Sequence, residues 1–175
     1  MKKKAQIMGQ VFVYIIAAVT FAMILIFGYN AIQKFLDKGE TVEFYTFKSS
    51  LESSVKELYS QKGSARVKTF HVPGDYREVC FVNMEKDNPP DGNVFCSNHG
   101  IVCDAWKTAK ETDAPTKNAD ANVFLDPLSP VPLKVYNIDP SGGDTEGVLC
   151  FEINGGSFEV KLEGMGDRVV VSSMK

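Results

Sequence analysis

Residues 11–29, VFVYIIAAVTFAMILIFGY, hold no charged side chain, and apart from the two tyrosines near the ends the only hydroxyl is that of Thr20. Such a run reads as a membrane-spanning helix. At about 1.5 Å of rise per residue, 19 residues cover about 28 Å, close to the ~30 Å hydrocarbon core of a bilayer. Tyr14 and Tyr29 stand where an aromatic ring with a polar tip rests at headgroup level. The Thr20 hydroxyl can bond a carbonyl one turn back, so it does not disqualify the helix.

The chain has 175 residues, which leaves enough beyond the helix for one compact domain. Its net charge of −3 hides a division: through residue 38, five lysines against Asp37 leave +4, so the remainder carries −7. An acidic domain on a basic stem excludes nucleic acid as a partner, because phosphate contacts need clustered Lys and Arg. Lys2, Lys3 and Lys4 precede the span and only Lys34 and Lys38 follow it, so the positive-inside bias predicts a cytoplasmic N-terminus and an extracytoplasmic C-terminal domain. Four cysteines, an even number, fit an oxidising exterior. A cleaved secretory signal is a poorer reading. The apolar run exceeds the usual 7–15 residues, and Tyr29-Asn30-Ala31 is not a small-x-small cleavage site.

Beyond the span the helix is expected to continue through Asp37 and to end or kink at Gly39. A second, amphipathic helix follows, with Phe44, Phe47, Leu51, Val55 and Leu58 on one face and a favourable Glu52–Lys56 pair, closed by Gly63. From Ser64 the period becomes β. Residues 65–72 and 78–84 flank Pro73-Gly74-Asp75 and read as a hairpin. Residues 86–93 are a loop, 94–106 a short cysteine-bearing segment, and 107–122 a solvent-facing polar excursion with room for one helical turn. A short strand is expected at 123–125, followed by an extended edge path forced by Pro127, Pro130 and Pro132. Strands are then predicted at 134–138, 148–153, 157–163 and 168–172. In the third, Phe158, Val160 and Leu162 alternate with Glu159, Lys161 and Glu163, giving one buried face and one wet face. The expected fold is therefore α+β: a transmembrane helix, then an amphipathic helix packed on an antiparallel meander. The organisation is a basic cytoplasmic leader at 1–10, transmembrane helix and stem at 11–38, and an extracytoplasmic domain at 39–175.

Two strands echo each other, EVCFV at 78–82 and VLCFE at 148–152, and could lie side by side. The simplest of the three possible connectivities is Cys80–Cys150 with Cys96–Cys103, and sequence does not decide among them. The rival is metal. CSNHGIVC at 96–103 brings Cys96, His99 and Cys103 into one segment, and Cys80, Cys150 or Asp104 could complete a tetrahedral zinc set, although no CxxC pair is present. Asp139, Asp144 and Glu146 on a glycine-bearing turn are oxygen ligands of the calcium type, but the spacing is not an EF-hand, and a solvated turn accounts for them. No GxSxG, HExxH or phosphate-loop motif occurs. With only two histidines and scattered carboxylates, the expectation is a protein without catalytic residues or cofactor. Trp106, beside the cysteines, is expected in the core.

The first ten residues, MKKKAQIMGQ, place a short basic leader directly against an apolar helix. Lys4-Ala5-Gln6 resembles the processing site of type IV prepilins, where the leader ends in Gly or Ala and the helix stays on the mature chain; Gln10 stands where many pilins carry glutamate. The order of leader, apolar helix, amphipathic continuation and disulfide-bearing sheet is also similar to that of type IV pilins and pilin-like proteins of archaeal kind. The resemblance implies cleavage between Ala5 and Gln6, self-assembly through the apolar helix, and an outward-facing domain. Ala18 and Ala22, four apart, would permit close helix approach. The expected function is a non-catalytic, single-pass cell-surface protein of pilin-like kind, against a non-polymerising anchored binding module or a zinc or redox ectodomain.

Overall fold

A computed structural model describes residues 4–86, 94–111, 121–143 and 145–174, with side chains beyond those of residues 4–10, 34–40 and 111. Ten elements follow in order: α1 (Lys4–Tyr59), β1 (Ala65–His71), β2 (Glu78–Val82), α2 (Val94–Asn98), α3 (Gly100–Glu111), β3 (Val123–Asp126), β4 (Ile138–Ser141), β5 (Val148–Glu152), β6 (Ser157–Gly164) and β7 (Val169–Ser172). By its contacts the chain divides into two units, Met1–Val42 and Glu43–Lys175.

In the first unit, Val11–Gln33 is a helical stretch of 23 residues, long and apolar enough to cross a membrane, with mean hydropathy 2.7 and none of its span buried. At about 1.5 Å per residue it reaches about 34 Å. The Thr20 hydroxyl donates to the carbonyls of Ile16 and Ala17, both at 3.0 Å, as expected of a lone hydroxyl in an apolar helix. The helix does not stop at Gly39, contrary to expectation. A single interior glycine costs only about 1 kcal/mol relative to alanine, and no proline removes a hydrogen bond nearby, so the helical ladder persists.

In the second unit, Phe44, Phe47, Leu51, Val55 and Leu58 of α1 are all buried, as their spacing predicts. The ion pair along this helix is Lys48–Glu52 at 3.9 Å rather than the expected Glu52–Lys56. The strands form two sheets, with orders β1-β6-β7-β4 and β3-β2-β5. This differs from the expected hairpin of β1 with β2: β1 pairs with β6, whereas β2 pairs with β3 and β5. Of the expected meander, β6 and β7 are the consecutive antiparallel pair, β5 belongs to the other sheet, and β4 joins β7 in parallel.

The two sheets share one core with α1. Phe158 on β6 holds it together, its ring centroid 6.4 Å from Phe47, 5.5 Å from Phe70, 6.1 Å from Phe81 and 5.9 Å from Phe151. The three-stranded sheet is covered on its other face as well. Val79, Phe81, Leu125 and Phe151 face the shared core, while Cys80, Val82, Phe124 and Val148 pack with Phe95, Val102 and Trp106 of α2 and α3. A strand buried on both faces carries no polar alternation, which is why VCFV at 79–82 reads as a continuous apolar run.

Segment 94–111 is two helices, α2 and α3, parted at His99, where the sequence suggested only a short cysteine-bearing segment; the helical residues 107–111 fit the one turn expected at the start of the polar excursion, whose residues 112–120 lie outside the described residues. Trp106 is fully buried, and its indole Nε1 has no partner among the described residues. The strand expected at 134–138 begins instead at Ile138. The proline-bearing approach to it is held by buried Asn122, whose Nδ2 donates to the Val135 carbonyl at 3.0 Å and whose Oδ1 accepts from the Val135 N–H at 2.8 Å. A side-chain amide here does the work of a strand neighbour. The edge path itself is as expected, with Leu133 bridging Val123 on the edge strand β3.

Where α1 ends, the chain closes tightly on β6. Gly63 N donates to the Gly164 carbonyl at 2.7 Å, and Gly164 N to the Ser64 carbonyl at 2.8 Å. A Cβ on Gly164 would lie 2.1 Å from the Leu58 carbonyl oxygen and 2.3 Å from that of Gln61. Both are backbone atoms that cannot swing aside. Gly164→Ala is expected to destabilise the domain by about 1–3 kcal/mol or more, read as a lower urea midpoint, whereas Gly155→Ala, which meets nothing within 4 Å, tests strain alone at its φ of 60°.

Candidate functional site

The chemistry-bearing side chains that converge lie where the α2–α3 hairpin meets the three-stranded sheet. Cys80 on β2 stands directly opposite Cys150 on β5. Glu78, two residues before Cys80, shares its strand face because side chains alternate with period two. His99 lies between α2 and α3, with its N–H donating to the Phe95 carbonyl at 2.8 Å and its carbonyl accepting from Cys103 N at 2.9 Å. Those bonds fix the backbone at His99, and its imidazole reaches Glu78 on β2 of the sheet.

His99 Nδ1 is 2.7 Å from Glu78 Oε2, and its ring stacks on Phe95 with centroids 4.8 Å apart. When the carboxylate is ionised it can only accept, and the hydrogen bond then runs from His99 Nδ1–H to Glu78 Oε2. The side chains are 28% and 18% exposed, which leaves the pair within reach of solvent but partly desolvated. One ligand atom each from Glu78, Cys80, His99 and Cys150 lies within 4.8 Å of all the others. Glu78 also sits in register with Asp126 on one side and Glu152 on the other. Arg77 takes up Asp126, Nη2 to Oδ2 at 3.0 Å.

Both cysteine pairs are at bonding distance in the simplest connectivity, Cys80–Cys150 and Cys96–Cys103, and no free cysteine remains. The residues of the alternative zinc set, Cys96, His99 and Cys103, are not gathered at one point in this form: those two sulfurs bond each other, and His99 turns to Glu78 and the other pair. The reason is geometric. Cys96 and Cys103 bracket the break between two helices with Cα atoms 5.3 Å apart, within disulfide reach. The sequence alone marks Glu78 only by its two-residue spacing from Cys80, which puts it on the cysteine's face. Its partner His99 is 21 residues away, and no local pattern encodes that contact.

Among the described residues, the other sequence candidates lie away from this site. Ala5 and Gln6 lie within α1, their side chains outside the described residues. Asp144 of the acidic turn is also outside them; Asp139 accepts from Asn83 Nδ2 at 3.1 Å, and Glu146 pairs with Lys86 at 2.6 Å. That contact holds the Glu146 carboxyl below its ordinary range and the Lys86 amine above its own. His71 is exposed at the end of β1, on an open groove of about 460 Å³ against Glu43 and Phe47 of α1. No protein family, no curated protein and no solved structure matches the chain.

Proposed function

We propose that the chain is a non-catalytic, single-pass membrane-anchored surface protein, a pilin-like subunit whose disulfide-bearing domain lies outside the cell and mediates assembly or surface contact. The observation that carries this reading is the 23-residue apolar helix Val11–Gln33, unburied along its whole span, joined in one chain to an acidic α+β domain. Phe12, Ile15, Phe21, Ile24 and Phe27 are each more than half exposed. A continuous apolar surface of that size needs lipid or another apolar helix to cover it. The lysine bias supports a cytoplasmic N-terminus, and two closed disulfides suit the oxidising side on which the domain would then stand.

The test is an intact mass of the native protein extracted from membranes. Loss of residues 1–5 is the expected result and makes the filament subunit the working description. A full-length mass removes the pilin-like part and leaves a solitary anchored module. Recovery of the chain in the soluble fraction after cell lysis would overturn the anchor itself.

A further inference from the structure

We propose that Glu78, Cys80, His99 and Cys150 form a thiol-dependent zinc site, in which the same four side chains that hold a disulfide and an ion pair when oxidised close around one metal ion when reduced.

The geometry carries the proposal. All four ligand atoms already lie within 4.8 Å of one another. In a tetrahedral zinc site with bonds of about 2.0–2.3 Å, neighbouring ligand atoms stand about 3.3–3.8 Å apart, so shifts on the order of 1 Å suffice. Breaking the S–S bond frees the sulfurs to separate to that spacing, while the paired strands keep Cys80 and Cys150 opposite each other. Helical hydrogen bonds fix the backbone at His99, and stacking on Phe95 keeps its ring beside the two sulfurs. Two thiolates, an imidazole and a carboxylate are a soft, nitrogen-bearing set, suited to zinc rather than calcium or magnesium. Cys80 is fully buried, but Cys150, Glu78 and His99 are partly exposed, which gives the ion an entry path.

The chemistry balances. A dithiol reductant transfers two electrons and two protons to the disulfide and is itself oxidised to a disulfide, leaving Cys80 and Cys150 as thiols. Zinc binding then releases those two protons to solvent, and the imidazole proton moves from Nδ1 to Nε2 as Nδ1 takes the metal. The metal-binding form is thus open to the newly made chain before oxidation, and wherever a dithiol reaches Cys150.

The experiment titrates the full-length chain in detergent with Co²⁺, with and without prior dithiol reduction and desalting. The reduced chain is expected to bind one Co²⁺ with thiolate charge-transfer and tetrahedral d–d bands that Zn²⁺ bleaches, and the oxidised chain none. His99→Ala is expected to weaken binding by at least about 100-fold and Glu78→Gln by about 10–100-fold, since even outer-shell losses cost that much. Cys96→Ala with Cys103→Ala should leave the bands in place. A reduced chain that binds no metal overturns the proposal. So does binding that survives His99→Ala or is lost in the Cys96/Cys103 variant, either of which would mark binding by thiols outside this site. None of these outcomes bears on the membrane anchor, which rests on Val11–Gln33.

Discussion

Phe158→Ala is expected to lower the stability of the folded domain by about 3–5 kcal/mol, the cost of truncating a fully packed phenylalanine. For a domain of this size that corresponds to a fall in Tm on the order of 10–20 °C. Its ring touches four others, contributed by α1, β1, β2 and β5, so the cavity left behind opens at the one place where the helix and both sheets meet. The surrounding elements cannot collapse into it together. Helix, four-stranded sheet and three-stranded sheet are each braced by hydrogen bonds that would have to shift as units, so little of the transfer and cavity cost is recovered by relaxation. The control is Val67→Thr on the outward face of β1, where the side chain is 46% exposed and the change should stay within about 0.5 kcal/mol. Thermal and urea denaturation of both variants decide the point. A loss below about 1 kcal/mol for Phe158→Ala would mean that the two sheets do not share a core.

The second large effect separates the two disulfides by the loops they close. Cys80–Cys150 spans a sequence separation of 70 and Cys96–Cys103 one of 7. If cross-linking acts through the entropy of the unfolded chain, the longer loop contributes about 4 kcal/mol and the shorter about 2. Replacing Cys80 and Cys150 together by alanine, which buries no new polar group, should therefore cost about twice what the Cys96/Cys103 pair costs. The larger loop contains α2, α3, β3 and β4. Its bridge ties β2 to β5 through the centre of the three-stranded sheet, so its loss leaves that sheet to strand pairing and packing alone. Equal losses, measured by urea denaturation at matched conditions, would show that native-state strain or residual structure, rather than loop length, sets the contribution.

Elements that depend on neighbouring residues were legible. The α1 stripe from Phe44 to Leu58 and the β6 alternation from Phe158 to Leu162 each announce a buried face, because a helix or strand lays out its own side chains with a fixed period. The pairing of Cys80 with Cys150 was suggested by two strands that carry cysteine followed by phenylalanine. Other features depend on partners far along the chain. The hairpin of β1 with β2 was a fair reading of Pro73-Gly74-Asp75, yet the turn there carries the chain from one sheet to the other. The apolar runs of β2 and β5 have no period because α2 and α3 cover the second face. The α2–α3 hairpin itself was obscured because residues 94–106 mix cysteine, glycine and polar residues, and their apolar stripe has meaning only against Cys80, Phe124 and Val148.

By itself the sequence determined the apolar span, the charge division across it, the α+β class, the packing face of α1 and the inward face of β6. All of these follow from composition and from local periods of 3.6 and 2. Only the tertiary structure decided that seven strands divide into two sheets around one phenylalanine, and that His99 answers to Glu78 beside Cys80–Cys150 rather than to Cys96 and Cys103. Those outcomes are set by long-range packing, in which a strand with two apolar faces takes whichever cover buries both, and by a 21-residue reach from Glu78 to His99 that no local pattern encodes.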